Sequence, residues 1–323
     1  MRTAANRVAT LALAALAATC APASPPLLAY DAAAHAEDVE AWRQWRHAEL
    51  TKPDGWLSLS GLYWLPPGTY RFGSDQESDL VYTRDGVPAH LGTFEVTTER
   101  VTFEPDESLE IMVGDAPLAE TLIFDSAWRD QEGVSVPELV LEELRWYVIV
   151  REDHLALRVK DAISPRVVDF AGMPNFELAA DWRFDATFEA YDPPRIIKVP
   201  NVFGTLGDEE SPGAVVFEHD GTEYRIDMWK DSGDPDNFFT AFGDASNGFS
   251  SYGAGRFVWV DAPDEFGRTV VDFNRAYNPP CALSPFATCP LPPMQNRLPI
   301  AIEAGEMAPE APVELPAPPP AEG

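Results

Sequence analysis

Apolar residues recur along the chain in two successive rhythms. In "AHAEDVEAWRQWRHAELTKPDGW", Val39, Trp42, Trp45 and Leu50 stand at near-helical spacing, and the pattern stops at Pro53-Asp54-Gly55, a turn signal. One amphipathic helix is expected there, within a segment 24–51 that opens as a Pro/Ala spacer, and its tryptophans read as packing anchors. From Trp56 onward the period falls to two. Runs such as "WLSLSGLYWL", "TYRFG", "LGTFEV", "RWYVIV", "HLALRVKD", "AVVFEH", "EYRIDMW" and "RFVWVD" alternate with Gly, Pro and Asp punctuation. Brief strands with frequent turns predict an all-β chain of two sandwich- or barrel-like lobes, not alternating strands and helices. Polarity rises near "AWRDQEGVSVPE", which sets the expected lobes at 52–130 and 131–306. The Pro/Ala/Glu-rich segment 307–323 is expected to stay outside any packed core.

The first residues follow a different logic. "MRTAANRVATLALAALAATCAPAS" has two arginines, then an apolar stretch too short to span a bilayer, then small residues. It predicts a signal peptide over 1–23 and export to the periplasm or cell envelope. Two processing routes stay open. "APA" suits cleavage before Ser24, whereas "LAATC" resembles a lipoprotein box in which Cys20 becomes the lipid-modified first residue.

Charge narrows the partners. The chain carries a formal net charge of −30, and removing Arg2 and Arg7 with the leader makes it more negative. Such a field repels phosphate backbones and anionic headgroups, so nucleic acid is not an expected partner. A membrane is expected only through an N-terminal lipid anchor. Lysine occurs four times, so arginine supplies most of the cations, and bidentate guanidinium contacts are the available anion-binding chemistry.

The chemistry-bearing stretch is "DFNRAYNPPCALSPFATCPLPPMQNR", from Asp272 to Arg297. Its prolines can extend neither helix nor sheet, and they limit the chain entropy lost on ordering. Cys281 and Cys289 enclose seven residues, which in an oxidising compartment reads as a disulfide contributing roughly 2.5 kcal/mol. Asp272, Asn274, Arg275, Tyr277, Asn296 and Arg297, joined by Arg256 from "SSYGAGRF", are the candidate ligand-binding residues. They are expected to line a cleft for a small polar or anionic molecule, although the same charges could form an internal ion-pair network.

No G-x-S-x-G elbow, S-x-x-K, H-E-x-x-H, phosphate-binding glycine loop or dinucleotide fingerprint occurs, and no cofactor or metal is expected. The acidic turn "DSGDPDN" lacks the spacing of a calcium loop. Two alternatives to binding remain. One is a hydrolase using His154 or Asp272 as base with an arginine stabilising the developing anion; the other is a structural scaffold.

Two resemblances follow from these motifs. "YRFGSDQESDLVYTRDGVPAHLGTFEVTTERVTFEP" resembles the core of a forkhead-associated sandwich, but Ser74 and Val87 replace that family's phosphothreonine-reading arginine and serine. The resemblance implies a sandwich without phosphopeptide binding. "PDGWLSLSGLYWL", "RFGSD", "LRVKD", "SPGAVVF", "SSYGAGRF" and the segment from Asp272 to Glu306 resemble domain of unknown function family 1684, over about Trp42 to Glu306. That family implies no reaction, cofactor or catalytic residue; it does imply that both lobes form one unit sharing the proline-rich loop.

Overall fold

The structure is a computed structural model that describes residues 29–129, 131, 133–151, 154–229, 237–310, 313–314 and 318. The expected signal segment with Cys20 and the acidic turn at 231–236 lie outside the described residues.

Helix α1 runs from Ala32 to Thr51. Asp31 caps it by accepting the amides of Ala33 and Ala34 at 2.9 and 3.1 Å, which satisfies two donors that have no partner within the helix. Its inward stripe is not the one the apolar pattern predicted. His35, Val39, Arg46 and Leu50 are buried, whereas Trp45 is 54% exposed. Two polar side chains sit inside because partners wait there: His35 Nε2 lies 2.8 Å from Asp272 Oδ2, and Arg46 Nε lies 3.0 Å from Glu306 Oε1.

The first lobe holds β1 Leu59–Trp64, β2 Gly68–Gly73, β3 Leu80–Val81, β4 Gly92–Val96, β5 Arg100–Pro105, β6 Met112–Val113, β7 Ala116–Pro117, β8 Leu122–Asp125, β9 Leu139–Leu141, β10 Leu144–Arg151 and β11 His154–Asp161. One sheet has the order β1-β11-β10-β9-β6-β7 and the other β3-β2-β4-β5-β8. Both contribute to one core, in which the fully buried Trp146 meets Phe72 and Phe103 edge-on at 5.7 and 5.8 Å. This is the expected sandwich, but it extends further than 130. Because β9 to β11 pair into the sheet of β1, the lobe ends at Asp161. The polar stretch near 130 marks the surface crossing from β8 to β9, between sheets of one sandwich, where loop backbone needs water.

The second lobe holds β12 Arg183–Pro200, β13 Leu206–His219, β14 Thr222–Met228, β15 Asn237–Phe242, β16 Arg256–Asp261 and β17 Arg268–Asp272. The sheet β14-β13-β12-β17 packs with the β15-β16 hairpin around Ile226, Met228, Phe242, Val258, Val271 and Phe273.

The proline-rich segment after β17 forms a wall between these lobes. It contains only short 3-10 turns at Phe273–Arg275, Pro280–Ala282 and Met294–Asn296, yet much of it is buried. Ser284 Oγ donates to Leu59 O of β1 at 2.9 Å, and Arg151 Nε of β10 donates to Thr288 Oγ1 at 2.8 Å. From the other side, the tip of the β12–β13 hairpin bonds to it through Val202 N to Cys289 O and Leu291 N to Pro200 O. Its return is sealed at Gly305, whose φ of +76° and close approach to Ala276 O leave no room for a Cβ.

Candidate functional site

A cavity of about 410 Å³ opens where α1, β10–β11, the β15–β16 hairpin and the proline-rich wall meet. That volume falls within the roughly 300–1,000 Å³ typical of small-molecule sites. Trp42 and Trp45 enter from α1, Trp56 from the turn after it, Phe239, Phe257 and Trp259 from the hairpin, and Tyr277 from the wall. The rings hold one another. Trp259 Nε1 donates to Tyr277 Oη at 2.7 Å, Phe239 packs on Phe257 and Trp259 at 4.8 and 5.2 Å, and the Arg46 guanidinium lies 4.6 Å from the Tyr277 ring.

The charge inside comes from one sheet face. In the antiparallel register of β10 and β11, Trp146, Val148, Leu155, Leu157 and Val159 point into the first lobe's core. The alternate positions carry Arg145, Tyr147, Arg151, His154, Arg158 and Lys160 on the opposite face. Arg151 and Arg158 line the cavity and both reach Thr288 Oγ1, at 2.8 and 3.3 Å. Arg158 is 6% exposed and its buried Nε has no hydrogen-bond partner. Among the described residues, neither arginine has a carboxylate within salt-bridge distance, in contrast to Arg46, which is paired with Glu306. Burial, and then the positive charge of Arg158, holds the Arg151 guanidinium below its ordinary range. Two neighbouring cations that repel each other, with no carboxylate beside them among the described residues, favour entry of an anion. Beyond Trp56 a second hollow of about 360 Å³ shares Glu49, Trp56 and Arg158 and adds Lys52 and Lys160.

Of the seven residues expected to bind a ligand, only Tyr277 lines this cavity. Arg256 is fully buried and spent internally: its NH2 donates to Asp244 Oδ2 at 2.9 Å and Ile302 O at 2.7 Å, and its NH1 donates to Ala304 O and Glu306 O. Asn296, also fully buried, accepts Asp227 N at 2.8 Å and donates to Asp227 O and Thr240 Oγ1. Asn274 exchanges two bonds with the Ala179 backbone. Asp272 holds His35 and Asn274. Arg275 lies 3.9 and 3.8 Å from Asp38 and Asp272, and Arg297 is exposed. The physical reason is common to the buried ones. A wall without regular secondary structure leaves backbone groups open inside the protein, and polar side chains satisfy them.

The expected disulfide is not formed in this structure. Cys281 and Cys289 are buried free thiols, with Cys281 N donating to Cys289 Sγ at 3.1 Å. The Cys289 hydrogen bond holds the Cys281 thiol below its ordinary range, while burial pushes Cys289 well above its own. The loop is therefore closed here by hydrogen bonding and packing.

His154 begins β11, 6.1 Å from the Trp64 ring, and no histidine lines the cavity among the described residues. Glu49, the one carboxylate there among the described residues, is paired with Lys52. The expectation passed over Arg46, Trp56, Arg151, Arg158, Trp259 and Thr288, and read Trp42 and Trp45 as packing anchors where they line the cavity. A signal existed for two of them: the alternation in "RWYVIVREDHLALRVKD" puts a row of cations on the non-core face of a hairpin.

Residues 168–307 match a family described as "Protein of unknown function (DUF1684)". The matched span is narrower than the one read from the sequence; it includes Phe239, Phe257, Trp259, Tyr277 and Thr288, while α1, Arg151 and Arg158 precede it. No curated protein matches the chain. Among solved structures, the chain is similar to an uncharacterized protein from Haloarcula marismortui determined by solution NMR. The identity is 28%, the TM-score 0.37, and the match covers 43% of this chain and 77% of that one.

Proposed function

We propose that this chain is an exported cell-envelope protein that binds a small anionic molecule in the cavity between its lobes. One observation carries the reading: Arg151 and Arg158 converge on Thr288 inside an aromatic cavity without a carboxylate partner among the described residues. In a chain of net charge −30, two such cations are costly to keep unless a ligand supplies the opposite charge. The site differs from the one first expected, but the chemistry, guanidinium forks meeting an anion, is the same. Native mass spectrometry of protein purified without denaturation tests it. The wild type should carry an acidic small molecule that Arg158→Met protein, equally folded, lacks; identical spectra from both would end the reading.

Export rests on the leader sequence. N-terminal analysis of the mature protein should find either Ser24 first or a lipid-modified Cys20, and an intact leader would reject both. In an oxidising compartment Cys281 and Cys289, already in contact, would pass two electrons and two protons to an exchanging disulfide and become joined.

A further inference from the structure

We infer that the anion bound in this cavity is an aromatic monoacid, its acid group on Arg151 and Arg158 and its ring system between the tryptophans. The inference rests on the anion-binding reading and names the ligand's body. Seven rings line the cavity: Trp42, Trp45, Trp56, Trp259, Phe239, Phe257 and Tyr277. Against them stand few free hydrogen-bonding groups. Thr288 Oγ1 receives both arginines, Glu49 is paired with Lys52, Arg46 with Glu306, and the Tyr277 hydroxyl accepts from Trp259.

A saccharide seated here would leave its hydroxyls without partners, a desolvation cost each time. An inorganic oxyanion would satisfy the guanidiniums and leave the aromatic space unfilled. An alkyl acid would gain burial without the tilted and edge-on ring contacts that the site already makes among its own rings at 4.8 to 5.7 Å. A planar ring gains both terms. Trp45 and Trp56, 54% and 45% exposed, would lose water-facing apolar surface when a ring lies against them. Such surface facing water is otherwise unfavourable.

Isothermal titration of the full protein with sodium 2-naphthoate, octanoate, glucuronate, acetate and phosphate discriminates these classes. Naphthoate is expected to bind at least tenfold more tightly than octanoate, and a hundredfold more tightly than glucuronate, acetate or phosphate. Trp45→Ala, at a half-exposed position that should not affect folding, is expected to weaken naphthoate at least fivefold and leave acetate unchanged. Arg158→Met should abolish the naphthoate signal. Octanoate, glucuronate or phosphate binding as tightly as naphthoate, with dependence on Arg158, would overturn the aromatic assignment and keep the anion site. Binding of none of the five, or binding indifferent to Arg158→Met, would overturn both.

Discussion

Two buried arginine arrangements in this molecule look alike in accessibility and in an unpartnered Nε, and differ in the charge that each guanidinium meets. Arg256 is wholly enclosed, and its guanidinium meets the Asp244 carboxylate and three main-chain carbonyls from the returning segment 302–306. Arg158 is nearly as enclosed, but meets a hydroxyl, another arginine's field and an open cavity. Burial alone therefore does not separate a structural cation from a binding one. The inventory of partners does, because a satisfied buried charge stabilises position and an unsatisfied one stores affinity.

That contrast can be broken most directly by removing each charge. Arg256→Met leaves Asp244 buried without its counter-ion and orphans the carbonyls, so a loss of about 3–5 kcal/mol is expected in urea unfolding. Arg158→Met removes a repulsion and a poorly paired cation at the cost of one long hydrogen bond. Its stability is expected to match or exceed the wild type by up to about 1 kcal/mol. If the two substitutions destabilise equally, Arg158 belongs to the framework and the contrast is lost.

A smaller effect concerns the wall that carries Thr288. On the proposed export reading, oxidised protein should lose several degrees of melting temperature when dithiothreitol is added, corresponding to about 2.5 kcal/mol for a nine-residue loop. An unchanged melting temperature would mean that hydrogen bonds and packing hold the wall without sulfur, as they do in this structure.

A further effect, confined to alkaline pH, uses a group that can avoid the predicament of Arg158. Tyr63, half-buried in the first lobe, keeps its proton instead of carrying an unpaired charge, and burial pushes its pKa up to about 12. The folded pKa exceeds the unfolded one, so this stability is complete below about pH 10 and is lost as pH rises from there through 12. Partial exposure limits the loss to at most about 2 kcal/mol. Urea midpoints measured across that window should fall for the wild type and fall less for Tyr63→Phe.

How much was legible beforehand varies with the range of the interactions. The strands announce themselves by alternation: Trp146, Val148, Leu155 and Leu157 are apolar at every second position and all reach the core. The helix was legible as an element and misread as a face, because Arg46 and His35 are buried by Glu306 and Asp272, more than 200 residues away. The proline-rich segment forms one wall of the cavity, and of the binding residues expected from it only Tyr277 lines that cavity. Asn274, Asn296 and Arg256 carry the residue types of a binding site, but their partners are main-chain atoms of segments that sequence does not place beside them.

The sequence by itself determined the periodicities, and with them the helix, the strands, the acidic surface and the scarcity of lysine, since each follows from neighbouring residues and simple counts. Tertiary structure alone decided which arginines are satisfied and which face a cavity. Whether a guanidinium finds a carboxylate depends on where distant chain segments close in space, and no local pattern encodes that distance.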